Sequence, residues 1–171
     1  MTEKTIHNEM LLCGIDPGKE GAIAYVIKHG KRFSLYRLFN MPKTKGDYDT
    51  YALFTTFLRH KVAAENELEL PIRHTLEKVN VHVRSGRKAA FGFGYGYGLL
   101  KGVLGSIPIN ADPVRPGEWK KTFNIKKKED AKKIARREVD DIDRVIQEDK
   151  RLRSLRLDQA EAILIAISKY K

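Results

Sequence analysis

Residues 10–39, MLLCGIDPGKEGAIAYVIKHGKRFSLYRLF, decide the architecture. Met10 to Ile15 is an uninterrupted apolar run and reads as a buried strand, broken at Pro17-Gly18. Gly21 to Ile27 reads as a second strand. His29-Gly30-Lys31 reads as a hairpin turn into a third, Arg32 to Phe39. Three consecutive strands with such short links predict an antiparallel meander. An acid, Asp16, stands at the end of the first strand, where the chain leaves the core.

Working outward, Pro42 to Gly46 reads as a loop. Tyr48, Tyr51, Phe54 and Leu58 recur at helical spacing, which predicts a helix from Asp47 to Ala64 with Asp47 as its cap. Pro71 opens a fourth strand that ends on a second acid, Glu77. In Gly86 to Gly105, glycine alternates with aromatics through Phe91-Gly92-Phe93-Gly94-Tyr95-Gly96-Tyr97-Gly98. Its flanks favour helix, although each glycine lowers helix stability by ~1 kcal/mol relative to alanine. Gly94, Gly98 and Gly102 then share one face, and such a face suits close approach of another backbone. Pro108 to Val114 reads as a fifth strand and Glu129 to Val139 as a basic helix. Asp140 to Leu152 reads as partly helical, and Ser154 to Tyr170 as the last helix.

Helical crossovers make the later strands parallel to the first. The expectation is an α/β chain forming one domain over residues 1–171, with a five-stranded mixed sheet flanked by helices on both faces, the arrangement of the ribonuclease H-like fold. No apolar run approaches the ~20 residues that span a bilayer, so no membrane partner is expected. The N-terminus carries no signal-peptide pattern, and a single cysteine, Cys13, forms no internal disulfide; both fit a reducing cytoplasm.

Two further acids, Asp158 and Glu161, lie three apart at the start of the last helix and share one face. Two of these acids have a ready ordinary explanation. Asp16 suits a turn before Pro-Gly, and Asp158 suits a helix N-terminus. Glu77 is harder to account for, because a charge at the end of a central strand is costly to desolvate unless paired. Gathered in one place, four carboxylates repel one another, and hard divalent cations remove that conflict. Mg²⁺ takes oxygen ligands, and two such ions ~4 Å apart assist in-line phosphoryl displacement. The histidines and Cys13 show no zinc-ligand spacing, and no serine or cysteine nucleophile constellation is evident.

These motifs also resemble a known family. Gly14-Ile15-Asp16-Pro17-Gly18 with Gly21-Ala22-Ile23-Ala24, then Leu76-Glu77-Lys78-Val79, then Asp158-Gln159-Ala160-Glu161-Ala162 are similar, in this order, to the three acidic motifs of RuvC-type Holliday junction resolvases. The glycine-aromatic helix and Pro116-Gly117-Glu118-Trp119-Lys120-Lys121 look more like the phage and divergent branches. The resemblance implies that Asp16, Glu77, Asp158 and Glu161 are catalytic ligands of two Mg²⁺ ions, with Mn²⁺ able to substitute. It implies a homodimer that nicks a four-way or branched DNA symmetrically, leaving 5′-phosphate and 3′-hydroxyl ends, in a bacterial cytoplasm or a phage-infected cell. Two positions depart from the pattern. Glu161 stands where some relatives have Asp or His. Asn80 stands where the main bacterial branch has an aromatic that disturbs junction base pairing. Phe91, Phe93, Tyr95 or Tyr97 could replace that aromatic, but packing against a partner subunit is their favoured use.

The formal charge of +11 predicts attraction to phosphate backbones or an anionic surface. The segment Arg115 to Arg156 holds 15 Lys/Arg against 9 Asp/Glu, with Lys126-Lys127-Lys128 in its densest part. Arg84, Arg87, Lys88, Lys120, Lys121, Lys126, Lys127 and Lys128 are the expected DNA-binding residues, chiefly for phosphates. Lys120 is also expected to support catalysis by stabilising charge on the scissile phosphate, with Trp119 anchoring its segment. The alternative to a nuclease is a non-catalytic branched-DNA-binding protein in which the four acids act as caps and turns. An actin-like ATPase shares the Asp16-Pro17-Gly18 turn, but it needs a second phosphate loop and a second domain, for which a chain of 171 residues is too short.

Overall fold

A computed structural model describes residues 9–78 and 86–171. Val79, Asn80 and Arg84, singled out above, lie outside the described residues. The meander forms as expected. β1 (Glu9–Asp16) pairs antiparallel with β2 (Ala22–His29), and β2 with β3 (Arg32–Asn40). Gly30 turns between β2 and β3 at a φ of 59°, which favours glycine.

After β3 the chain departs from expectation. Pro42 to Gly46 is not simply a loop: β4 (Lys43–Thr44) folds back on β5 (Asp47–Tyr48) as a small ribbon. The helix α1 (Thr50–Asn66) therefore starts later, and its cap is Asp49, whose carboxylate accepts from the Ala52 backbone N–H at 2.9 Å. Asp47 instead accepts the N–H of Tyr48 at 2.8 Å within the ribbon. The buried face of α1 carries Leu53, Phe57, His60, Ala63 and Ala64, whereas Tyr51 is 77% exposed. Helical spacing was right, but the packed face is the one rotated away from Tyr51 and Leu58.

β6 (Ile72–Glu77) lies parallel beside β1, and β7 (Ala111–Val114) parallel beside β6, giving the order β3-β2-β1-β6-β7. β7 is shorter than the expected Pro108 to Val114, because the N–H groups of Ile107 and Ile109 still bond back to the Leu104 carbonyl as the preceding helix ends. That helix, α2 (Arg87–Ser106), confirms the helical reading of the glycine-aromatic stretch. Gly94, Gly98 and Gly102 meet nothing within 4 Å, so no other part of the described chain uses that face. The close contact falls on Gly96, where an added Cβ would lie 2.2 Å from the Tyr48 hydroxyl. The remaining helices are α3 (Pro116–Thr122), α4 (Asp130–Glu138), α5 (Ile142–Glu148) and α6 (Leu157–Ile167). None in the described chain is long and apolar enough to cross a membrane.

The sheet is covered on both faces, which explains why β1 is apolar throughout rather than alternating. Leu11, Cys13, Ile15, Ile23, Tyr25 and Leu76 point into a core shared with α1 and α2. Leu12, Ala22, Ala24 and Val26 point into the other, shared with Trp119, α4, α5 and α6. Burial pushes the Cys13 thiol far above its ordinary value, in keeping with an inert core residue. The tightest seam is between β1 and α6. A Cβ on Gly14 would lie 2.1 Å from the Ala162 carbonyl oxygen and 2.4 Å from the Ala166 nitrogen. Gly14→Ala must therefore push backbone from backbone. We expect it to lower stability by at least the ~1–3 kcal/mol of an overpacked core, read by urea denaturation. An unchanged midpoint would contradict this seam.

Candidate metal centre and nucleic-acid interface

Parallel pairing of β1 and β6 sets Ile15 beside Leu76, so Asp16 and Glu77 emerge side by side at the same edge of the sheet. Beyond Asp16 the turn is tight: the Gly18 N–H donates to Asp16 Oδ1 at 3.3 Å, and a Cβ on Gly21 would lie 2.2 Å from the Asp16 carbonyl oxygen. Alternation along β1 puts Asp16 on the same face as Leu12 and Gly14, the face that α6 covers. The Gly14 seam brings the first turns of α6 over this edge. One carboxylate oxygen each from Asp16, Asp158 and Glu161 then lie within 4.8 Å of one another.

Glu77 stands beside this triad, held by a different partner. Trp119 is 1% exposed, and its indole N–H donates to Glu77 Oε1 at 2.7 Å. The expected anchor of the Pro116 to Lys121 segment is thus also a tether for Glu77. Lys120 Nζ lies 3.7 Å from Glu161 Oε1 and 5.1 Å from the Trp119 ring centre, at the rim of the cluster. Asp158 Oδ2 accepts from Arg156 Nη2 at 3.2 Å. Tyr48 braces the Asp16 turn from the other side, donating its hydroxyl to the Pro17 carbonyl at 2.7 Å. Neither Arg156 nor Tyr48 was foreseen. Tyr48 looked like one apolar position of a helix, and Arg156 like one more basic residue within the expected last helix, Ser154 to Tyr170, which in the structure begins only at Leu157.

The electrostatics are strained in the way a cation relieves. Asp16 is pushed from 3.8 up to about 7, first by burial, then by the neighbouring Glu77 charge, with Glu161 and Asp158 adding smaller effects. Glu77 is raised, burial outweighing the Trp119 hydrogen bond. Glu161 is raised too, burial outweighing the attraction of Lys120 and Lys128. Several oxygen donors, converging and partly desolvated, form a set that suits a hard divalent cation.

Of the basic residues expected to meet DNA, Lys120 and Lys128 stand near these carboxylates. Arg87 and Lys88 start α2 and are exposed. Lys121 follows Lys120 on α3, and Lys126, Lys127 and Lys128 are exposed on the link to α4. Lys128 is close enough for its charge to act on both Glu77 and Glu161.

No family model matches the chain, and no curated protein matches its sequence. Solved structures do match. Thermus thermophilus RuvC in complex with Holliday junction substrate aligns with a TM-score of 0.60 at 14% identity, over 93% of this chain and 91% of that one. The chain has the RuvC fold. A second Thermus thermophilus RuvC structure aligns at 0.59 and 14%, over 93% of this chain and 92% of that one. The five-stranded mixed sheet between helices is therefore the ribonuclease H-like arrangement expected from the order of elements.

A pH test follows from Asp16. Between about 4 and about 7 the folded chain holds a proton on Asp16 that the unfolded chain releases. Its contribution to stability is therefore full below the lower value and is lost as pH rises through the upper one. A divalent ion held by the ionised cluster would restore it. We expect the melting temperature gained on adding Mn²⁺ to be several-fold larger at about pH 8 than at about pH 5.5. Asp16→Asn should flatten that difference. An equal gain at both pH values would rule out this account.

Proposed function

We propose that the chain is a Holliday junction resolvase. It acts as a structure-selective endodeoxyribonuclease, making paired symmetric nicks across four-way or branched DNA by two-metal-ion phosphodiester hydrolysis. The nicks leave 5′-phosphate and 3′-hydroxyl ends. The observation that carries this reading is the convergence of Asp16, Asp158 and Glu161 oxygens within 4.8 Å inside a strongly basic chain. The RuvC fold, found in a protein solved with Holliday junction substrate, supports the choice of branched DNA.

In this proposal Asp16, Asp158 and Glu161 form the metal centre and Glu77 completes it from its place on the Trp119 indole. Two Mg²⁺ ions, or Mn²⁺ in their place, would supply an activated water and charge neutralisation for an in-line displacement. The protein's own task is to hold the acids before substrate arrives. Burial on the β1–α6 seam keeps their geometry, and the tether on Glu77 limits its rotamers. Lys120, at the rim, neutralises charge that builds on the scissile phosphate. Arg87, Lys88, Lys121 and Lys126 to Lys128 contact backbone phosphates, so junction shape governs binding more than base sequence. Symmetric cuts need two copies of the pocket, and the reading accordingly includes a homodimer.

Synthetic four-way junctions, with Y-forks and duplexes as controls, test this directly. With Mg²⁺ or Mn²⁺ the protein should nick two opposed strands, and chelator should stop it. Junctions left intact while another substrate is cut would exclude resolution. A separate expectation concerns Asp16→Asn: cutting should fall by at least ~100-fold, as for loss of a transition-state electrostatic group, with junction binding retained. A variant as active as the parent would remove Asp16 from the mechanism. Absence of any divalent-ion binding by calorimetry would favour the non-catalytic DNA binder.

A further inference from the structure

Of the basic residues so far proposed to meet DNA, Lys120 and Lys128 lie on the α3–α4 side of the carboxylates. The opposite side also carries a built cleft. Between the end of β3 and the α5–α6 link lies a cavity of about 350 Å³, lined by Asn40, Arg151, Arg153, Ser154, Arg156 and Gln159 around Leu152. Its lining contains three arginines and no carboxylate. The floor is fixed by hydrogen bonds. Gln159 is 1% exposed; its amide donates to Asn40 Oδ1 at 2.7 Å, and its own oxygen accepts from the Arg156 backbone N–H at 2.8 Å. Arg156 Nη1 also reaches Asn40 Oδ1, at 3.5 Å. With its oxygen accepting twice, Asn40 keeps its amide N–H groups as donors.

Nearby acids compensate only part of the charge. Arg151 is paired with Asp149, and Arg156 with Asp158 and, at 3.8 Å, with Glu20. Arg153 is exposed and has no ionic partner among the described residues. The α6 N-terminus adds the positive end of a helix dipole beside them. The position of the cleft gives it meaning. Arg156 touches both Asn40 in the cleft and Asp158 in the carboxylate cluster. In the sheet order β3-β2-β1-β6-β7, Asn40 ends one edge strand and α3 with Lys120 follows the other. The acids at the ends of β1 and β6 lie between these two cationic flanks.

We propose that this cleft binds a backbone phosphate of DNA, one flanking the phosphate that meets the carboxylates. Resting on the nuclease reading, it defines a strand path from Lys120 and Lys128, over Asp16, to Arg153. The planar arginine fork suits a phosphate's oxygens, with Asn40 as a neutral donor.

Binding of a four-way junction in chelator, measured against salt concentration, tests the path. Arg153→Ala should weaken binding roughly threefold to tenfold and lower the slope of log affinity against log salt by about 1, the share of one phosphate contact. Arg153→Lys should keep the slope. Mn²⁺ affinity by calorimetry and the melting temperature should match the parent for both. The variant Lys126→Ala/Lys127→Ala/Lys128→Ala serves as the opposite flank. If the parent binds and Arg153→Ala keeps its affinity and slope, the cleft is off the path while the nuclease reading stands. Loss of Mn²⁺ affinity or of folding in Arg153→Ala also overturns the proposal, because the residue then acts through the fold. A parent that binds no branched DNA overturns both readings.

Discussion

The contact on which the site depends is the backbone-to-backbone approach of β1 and α6 at Gly14. An added Cβ there would overlap the Ala162 carbonyl oxygen and the Ala166 nitrogen. Ala162 and Ala166 keep the facing side of the helix narrow and buried. Small residues on both partners let the helix axis sit low on the sheet. That height decides whether Asp158 and Glu161 reach Asp16. A helix held off by ordinary side chains would keep the same hydrophobic pattern and lose the cluster.

Close packing creates an electrostatic problem that the rest of the structure contains rather than removes. Buried carboxylates in mutual contact favour protonation or separation. Here neither partner can move far, because Asp16 closes a strand into a tight turn and the α6 acids ride on a fully packed helix. Three of the four acids are also braced from outside: Glu77 by Trp119, the Asp16 turn by Tyr48, Asp158 by Arg156. Tyr48 in turn fits against α2 only because position 96 is glycine. The strain is thus stored at one edge and offset by two well-packed cores.

Charge acts at two scales. Over the whole molecule the excess of lysine and arginine draws a polyanion in. At the pocket itself the sign reverses, so a phosphate approaching it is repelled unless cations intervene. Basic side chains flank the acids on both sides, from Lys120 and Lys128 to Arg156 and Arg153. Under the proposed function, affinity would come from the rim and chemistry from the centre.

The amino-acid sequence determined what depends on neighbours along the chain. The meander, the acids ending β1 and β6, the i, i+3 pair on α6 and the helical state of the glycine-aromatic stretch were all legible, because apolar runs, turn chemistry and residue spacing are local signals. Only the tertiary structure decided what depends on partners far away. It chose which face of α1 is buried, made Gly96 rather than Gly94, Gly98 or Gly102 the tight contact, tied Glu77 to Trp119 across 42 positions, and set Arg156 between Asp158 and Asn40. Periodicity states that a face is apolar or a residue charged. What that face or charge meets is fixed by long-range packing, where many elements must satisfy one geometry at once.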